Sequence, residues 1–184
     1  MDLLPKVGVV PLGDVMPIVP AVIAAHISGY FNLHAEVLER RPIPPASLDT
    51  GRLQYDVARI LTVLEVDSFV GFAKVVAVTN VDLFVPVFSY VIGESRLGGR
   101  CAAVSLFRLA ESPVFSDPPE PKLLERAAKV ALHELGHLFH LAHCSDLRCL
   151  MCLSGPADDL DRRSLSLCRY CHRFLQDSIR SLSR

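Results

Sequence analysis

The residues of this chain that are best suited to chemistry lie at positions 133–143, which read HELGHLFHLAH. His133 and His137 are four residues apart, so on a helix their imidazoles share one face and can bind the same zinc ion. Glu134 then lies beside the metal, where its carboxylate can act as a general base. With a third protein ligand, one zinc position is left for water, and this open position distinguishes a catalytic zinc from a structural one.

Two histidines compete to be that third ligand. His143 follows His137 by six residues, so it reaches the metal only if the helix stops and the chain turns back. His140 stays near the ligand face if the helix continues. Such a stop usually has a glycine in the left-handed conformation, and His140 occupies this position. We favour His143 because of the cysteines that follow it.

Four cysteines after this segment form two pairs, Cys144 with Cys149 and Cys168 with Cys171. Two pairs separated by a loop are typical of a structural zinc site with four thiolates, which can hold together a tail that has little core of its own. Two disulfides are a less favoured interpretation because no secretory feature is evident. A redox CxxC pair is also less favoured, since such a pair is expected near a βαβ unit.

Two further residues, Cys152 and His172, leave alternatives open. Cys152 could replace Cys149 as a ligand, although a buried or free thiol is the simpler interpretation. His172, beside Cys171, is a weak alternative ligand. Cys101 lies in an apolar segment, which predicts a place in the core.

The segment from His133 to Cys171 resembles the archaemetzincin family of zinc metallopeptidases, which joins a triple-histidine helix to a second zinc site of four cysteines. The resemblance implies a metallopeptidase, endopeptidase or aminopeptidase-like, that acts on peptides or proteins with one catalytic and one structural Zn²⁺ per chain. It implies these roles: catalytic zinc ligands His133, His137 and His143; general base Glu134; structural zinc ligands Cys144, Cys149, Cys168 and Cys171; and Met151 in the tight turn beneath the catalytic metal. The chain departs from the family pattern at His140, where that pattern has glycine.

Composition narrows the class of protein. The chain has 184 residues, of which 51% are hydrophobic, so we expect one well-packed domain and a monomer. Lys and Arg total 19 and Asp and Glu total 20, a balance that argues against binding to nucleic acid or membranes. The first residues lack the basic and apolar regions of a signal peptide, which predicts a cytoplasmic location.

Strand and helix patterns alternate along the chain and predict an α/β fold, with a mostly parallel five-stranded sheet, one antiparallel edge strand and an active-site helix packed on it. The predicted strands cover residues 7–12, 33–38, 74–79, 86–92 and 102–106. The predicted helices cover residues 18–31, 54–64, 122–141 and 169–182. Gly98 and Gly99 indicate a hairpin before the last strand. By resemblance, the stretch Val87–Ile92 would lie above the cleft and pair with substrate.

We expect a single catalytic domain, residues 1–184, with an N-terminal subdomain 1–143 and a zinc-stapled C-terminal subdomain 144–184. In the C-terminal part, the acidic residues Asp158, Asp159 and Asp161 indicate a solvated loop, since they lack the glycine and glutamate of an EF-hand. The arginines of the last helix indicate a solvated face more than a nucleic-acid surface.

One rival function remains open at this point. The chain could be a non-catalytic, zinc-stabilised module that binds peptides or proteins, with the front zinc site closed by His140. The number of protein ligands at that zinc distinguishes the two functions: three leave room for water, and four do not.

Overall fold

The fold is built around a five-stranded sheet, in a computed structural model that describes residues 5–111, 118–152 and 157–182. In chain order the elements are β1 (Val7–Leu12), α1 (Ile18–Phe31), β2 (Ala35–Val37), β3 (Leu48–Asp49), β4 (Gln54–Asp56), α2 (Val57–Val66), β5 (Lys74–Thr79), β6 (Leu83–Phe84), β7 (Gly93–Ser95), β8 (Cys101–Ser105), α3 (Pro121–Leu138), α4 (Ala157–Leu160) and α5 (Arg169–Leu182), with single 3₁₀ turns at Pro45–Ser47 and Leu150–Cys152.

The main sheet has the strand order β2-β1-β5-β8-β7. Its first four strands are parallel, and β7 runs antiparallel to β8 at the edge. This confirms the predicted mostly parallel sheet and its antiparallel edge. A smaller sheet, β3-β4-β6, lies alongside. Successive buried side chains along β1 and β5 point to opposite faces of the sheet. One face packs on α1 and α3, and the other face packs on α2.

The predicted bounds of β1, α1, β5 and α5 are confirmed, and β8 begins and ends one residue earlier than predicted. The predicted second strand is shorter in the structure, where it covers Ala35–Val37. Helix α2 begins at Val57 because Gln54–Asp56 joins the smaller sheet, and the Asp56 carboxylate accepts a hydrogen bond from Ala58 N–H as the helix N-cap.

The prediction of a strand over residues 86–92 is wrong. The edge strand is Gly93–Ser95, and residues 86–92 form a loop that has a single bridge from Val91 to Leu83. Side chains from outside the main sheet hold this loop: Arg52 Nη1 donates to Phe88 O at 3.3 Å and Gln54 Nε2 donates to Ser89 O at 2.9 Å. The branched and aromatic residues of this segment suit a strand, but these two contacts occupy the backbone carbonyls of Phe88 and Ser89 outside the main sheet.

Helix α3 crosses the sheet face that also carries α1. Ala127 and Ala131 are fully buried, and these small residues allow the helix to pack closely on the sheet. One apolar cluster continues from α1 and α3 to Leu150, Leu160 and Leu175, so the C-terminal segment packs on the same core. Within the described residues, no helix has the length and apolar character needed to cross a membrane.

Candidate metal centres and the histidine-lined cleft

The exit of helix α3 is a Schellman turn in which His140 occupies the position that usually holds glycine. His140 N–H donates to His137 O at 2.9 Å and Leu141 N–H donates to Gly136 O at 3.0 Å, which are the two hydrogen bonds of that motif. His140 has φ +65°, in the left-handed region. The helix therefore ends before the predicted Leu141, and the chain turns back towards its own histidines.

This turn brings His133, His137 and His143 together. Their ring centroids are 4.5, 5.3 and 4.8 Å apart. One nitrogen from each ring lies within 4.8 Å of the other two, so the three residues could hold a metal ion. Among the described residues, His140 does not belong to this group.

Hydrogen bonds fix the tautomers of the two helical histidines. His133 Nδ1 lies 3.0 Å from Leu150 O, and His137 Nδ1 lies 2.7 Å from Leu141 O. A carbonyl oxygen only accepts, so each Nδ1 carries the proton and each Nε2 presents a lone pair. The Leu150 and Leu141 carbonyls thus orient the two rings, as partners of metal-binding histidines commonly do.

The two Nε2 atoms lie 3.0 Å apart, so their lone pairs converge. Burial lowers the pKa of His133 to about 3 and also lowers the pKa of His137, so neither ring gains a second proton at neutral pH. Neutral nitrogens of zinc-bound histidines are separated by about 3.3 Å in a tetrahedral site with zinc–nitrogen bonds of about 2.0 Å. This donor set fits a zinc ion.

Glu134 lies beside this group and is buried. Its Oε2 accepts a hydrogen bond of 2.5 Å from Ser95 Oγ on the edge strand β7. Burial raises the pKa of Glu134 to about 8, the Ser95 hydrogen bond lowers it, and the charge of Glu94 raises it further. Strand β7 passes directly over the carboxylate, since a Cβ atom at Gly93 would lie only 2.8 Å from Glu134 Oε1.

Met151 lies beneath the helix at the level of the histidines and is fully buried. A Cβ atom at Gly136 would lie 2.6 Å from Met151 Sδ, so the glycine is what permits this contact. Cys144 N–H donates to Met151 O at 3.0 Å, which ties the turn to the residue that follows His143.

The second candidate metal centre consists of Cys144, Cys149, Cys168 and Cys171, whose sulfur atoms all lie within 4.8 Å of one another. The sulfurs of Cys144 and Cys168 are 3.9 Å apart. A tetrahedral zinc with zinc–sulfur bonds of about 2.3 Å separates its sulfurs by about 3.8 Å. The four thiols therefore fit zinc.

Backbone amides point at three of these sulfurs. Asp146 N–H donates to Cys144 Sγ at 3.4 Å, Cys168 N–H to Cys149 Sγ at 3.3 Å, and Cys171 N–H to Cys168 Sγ at 3.5 Å. Hydrogen bonding from Cys171 N–H lowers the pKa of Cys168, which favours its thiolate, the form that binds metal.

All six cysteines are free thiols in the structure, which therefore does not contain the pair of disulfides that was the less favoured interpretation. Cys152 and His172 lie outside the ligand group among the described residues, and Cys101 is buried in the core as predicted.

An open cleft of about 790 Å³ lies between β7 and α3. Its apolar wall includes Phe88, Tyr90, Ile92 and Leu97, and its floor carries His133, Glu134, His137 and His143. The C-terminal segment contributes Asp159, Leu160 and Arg163. Sequence reasoning missed Ser95 and Gly93, because two small residues in a short strand carry no motif.

The acidic segment is only partly the solvated loop that was predicted. Asp161 forms a bidentate ion pair with Arg126 of α3, at 2.8 and 2.7 Å. Residues 153–156 and the side chain of Asp158 lie outside the described part. In α5, Leu175 and Ile179 are buried, whereas Phe174 is 69% exposed.

Comparisons with known proteins agree with this geometry. The model of peptidase family M54 matches residues 30–177. The archaemetzincin of Methanopyrus kandleri is 34% identical over 157 residues, which is 84% of this chain and 85% of that protein. The archaemetzincin of Pyrococcus furiosus is 34% identical over 179 residues, 93% of this chain and 92% of the relative.

Two crystal structures have the same fold. The structure of the Methanopyrus kandleri archaemetzincin superposes with a TM-score of 0.83 at 31% identity and covers 96% of both chains. The archaemetzincin of Archaeoglobus fulgidus, in complex with malonate, superposes with a TM-score of 0.78 at 30% identity, over 92% of this chain and 99% of that one. The chain therefore belongs to peptidase family M54, together with the archaemetzincins, and is a zinc metallopeptidase.

Proposed function

We propose that the chain hydrolyses peptide bonds in the cleft between β7 and α3, with Glu134 as the general base and His133, His137 and His143 as the catalytic zinc ligands. The observation that carries this proposal is the convergence of histidine nitrogens beside a buried carboxylate at the floor of an open cleft. When bound, zinc would supply Lewis acidity to a water molecule and to the scissile carbonyl.

The protein's own groups move the proton. Glu134 takes a proton from the attacking water and then delivers it to the leaving amine. Ser95 Oγ donates to Glu134 Oε2, so it orients the carboxylate and leaves Oε1 available to the water. Nearby positive charge lowers the pKa of a buried carboxylate, so a dication beside Glu134 favours the ionised form that a base requires.

The substrate in this proposal is an extended peptide. Strand β7 pairs with β8 on one side only and ends the sheet, so its outer backbone groups can pair with a peptide strand. The role that resemblance placed on Val87–Ile92 therefore moves to Gly93–Ser95, and the loop before β7 becomes an apolar wall for substrate side chains.

The four-cysteine group is proposed as a second, structural zinc site, with Cys144, Cys149, Cys168 and Cys171 as ligands. Cys144 directly follows His143, and Cys168 lies just before α5, so this metal would hold the last helix against the turn that carries the third histidine. In this proposal, residues 144–184 are a subdomain of one catalytic domain.

The binding-module alternative has no observation in its favour. It needs His140 as a fourth ligand, and His140 lies outside the group of histidine nitrogens, with its ring against Gly98. With three histidine ligands, the proposed front zinc would have one position open to water, as catalysis requires.

The test is substitution of the base. Glu134→Gln should retain two zinc ions per chain and lower peptide hydrolysis by about 10²–10⁴-fold, the usual contribution of a general base. Hydrolysis is measured by mass spectrometry on a mixed peptide library with free and acetylated N-termini, which also separates endopeptidase from aminopeptidase activity.

Glu120→Gln is the control, because Glu120 is exposed at the start of the same helix and makes no side-chain cap. Equal hydrolysis by wild type and Glu134→Gln, or hydrolysis by neither, would reject the proposal.

A further inference from the structure

His140 ends helix α3 in a backbone conformation that is unfavourable for a residue with a Cβ atom. Its φ of +65° lies in the left-handed region, which glycine enters at little cost and other residues enter rarely. Among the described residues, His140 lies outside the group that could hold a metal, so a metal site does not explain a histidine at this position. The contact that the structure provides is with the turn between β7 and β8.

The imidazole of His140 occupies the space where residue 98 would carry a side chain. A Cβ atom at Gly98 would lie 2.1 Å from Cε1 and 2.6 Å from Nδ1 of His140. Gly98 itself has φ +71°, and its N–H donates to His137 O at 2.8 Å. The turn is thus bonded to one of the last carbonyls of α3 and covered by the ring that ends the helix.

A buried lysine holds the same turn at its carbonyl groups. Lys74 Nζ donates to Gly99 O at 2.8 Å and to Gly98 O at 3.4 Å, and it lies 5.6 Å from the centre of the Phe139 ring. The helix exit therefore binds the amide of the turn, and Lys74 of β5 binds the carbonyl groups of the turn.

This turn is the continuation of the edge strand. Ser95 of β7 donates to Glu134, and Leu97 lines the cleft. A shift of the turn would move both the hydrogen-bond donor of the base and the outer edge of the sheet.

We propose that His140 is a positioning residue of the cleft, whose ring packs on Gly98 and fixes β7 above Glu134. The packing role stands on the contacts alone, whereas its consequence for turnover rests on the proposed peptidase function.

A double-mutant cycle on the zinc-loaded, full-length protein tests the packing role. Both Gly98→Ala and Gly71→Ala should raise the equilibrium constant of urea unfolding, and the factor should be about ten-fold larger for Gly98→Ala. Gly71 is the matched control because it has φ +84° and a Cβ atom there would meet nothing within 4 Å. In a His140→Gly background the excess effect of Gly98→Ala should vanish, while the effect of Gly71→Ala should stay unchanged.

A second measurement follows β7 directly. His140→Gly should accelerate backbone amide exchange across residues 93–99 and leave β1 unchanged, and His140→Phe should restore protection because a phenyl ring can cover Gly98 without binding metal. In peptide hydrolysis, His140→Gly should raise KM more than it lowers kcat, with His140→Phe near wild type.

An effect of Gly98→Ala that is the same with and without His140, or exchange across residues 93–99 that His140→Gly does not change, would overturn the proposal. If wild type hydrolyses no peptide, the proposed function fails, while the cycle and the exchange data still decide the positioning role.

Discussion

Asp161 connects the C-terminal segment to the helix that carries the candidate catalytic histidines, and its replacement by Asn gives a quantitative prediction. Asp161 accepts two hydrogen bonds from Arg126 and pairs with Lys122 at 3.0 Å. The Arg126 side chain is only 3% exposed, whereas that of Asp161 is 29% exposed. An Asn at position 161 turns an NH₂ group towards one of the guanidinium donors and removes the charge.

The expected loss follows from these contacts. Removal of one partner from a fully buried ion pair costs about 3–5 kcal/mol. Asp161 is partly solvated, Arg126 keeps a hydrogen bond to Leu109 O, and Glu111 lies 3.9 Å away, so we expect the lower value of about 2–3 kcal/mol. For a chain of this length, that loss lowers Tm by about 4–12 °C.

The effect should depend on pH with a definite sign. The Arg126 guanidinium, followed by Lys122, holds the pKa of Asp161 well below its ordinary value. Folding therefore favours the ionised carboxylate, and its stabilisation is complete above the unfolded pKa of about 4. As pH falls below 4 towards the lower folded pKa, the stabilisation is progressively lost, and the difference between wild type and Asp161→Asn should shrink.

The measurement is the free energy of urea unfolding by circular dichroism between pH 3 and pH 8. Asp159→Asn is the matched control, because Asp159 lies two residues away and makes no ion pair among the described residues. Loss of metal at low pH affects both variants alike and cancels in their difference. If the two variants lose the same stability, or if their difference does not change below pH 4, the reasoning is refuted.

Two further predictions concern the metal centres. Gly136→Ala should destabilise the protein by about 1–2 kcal/mol in urea unfolding, because the new methyl group meets the buried Met151 sulfur, and this overpacking outweighs the gain in helix propensity. Gly29→Ala on α1, where a Cβ atom meets nothing within 4 Å, should instead raise Tm by about 1–4 °C, and a rise for both variants would contradict the proposed contact. Cys168→Ser should lower the zinc content, measured by atomic emission, from two ions per chain to one, and it should accelerate amide exchange in α5. His137→Ala should remove the other ion without affecting amide exchange in α5. Retention of two ions by either variant would contradict the site assignments.

Elements whose pattern depends on local physics were predicted well from the sequence. The strand at Val7–Leu12 and the centre of the strand at Lys74–Thr79 are apolar runs, as buried parallel strands are. Helix α1 ends at Phe31, where the left-handed Asn32 follows. The spacing of His133, His137 and the cysteines predicted the two candidate metal sites, because ligands of one metal must recur at intervals that the backbone can bring together.

Other features depend on contacts between residues far apart in the chain. The choice between His140 and His143 was open in the sequence, and the Schellman turn decided which ring joins the group, since a helix that ends at Leu138 directs His140 away towards Gly98. The edge strand was misplaced because the loop at residues 86–92 is held by Arg52 and Gln54, side chains that are distant in sequence.

The sequence by itself determined the family, the types of the candidate ligands and the parallel core, because each follows from residue identity at short range. Only the tertiary structure decided which groups surround the candidate base. Ser95 meets Glu134 across 39 positions of sequence, and neither residue's local pattern specifies that hydrogen bond. It exists because the sheet, the helix exit and the hairpin turn are packed together.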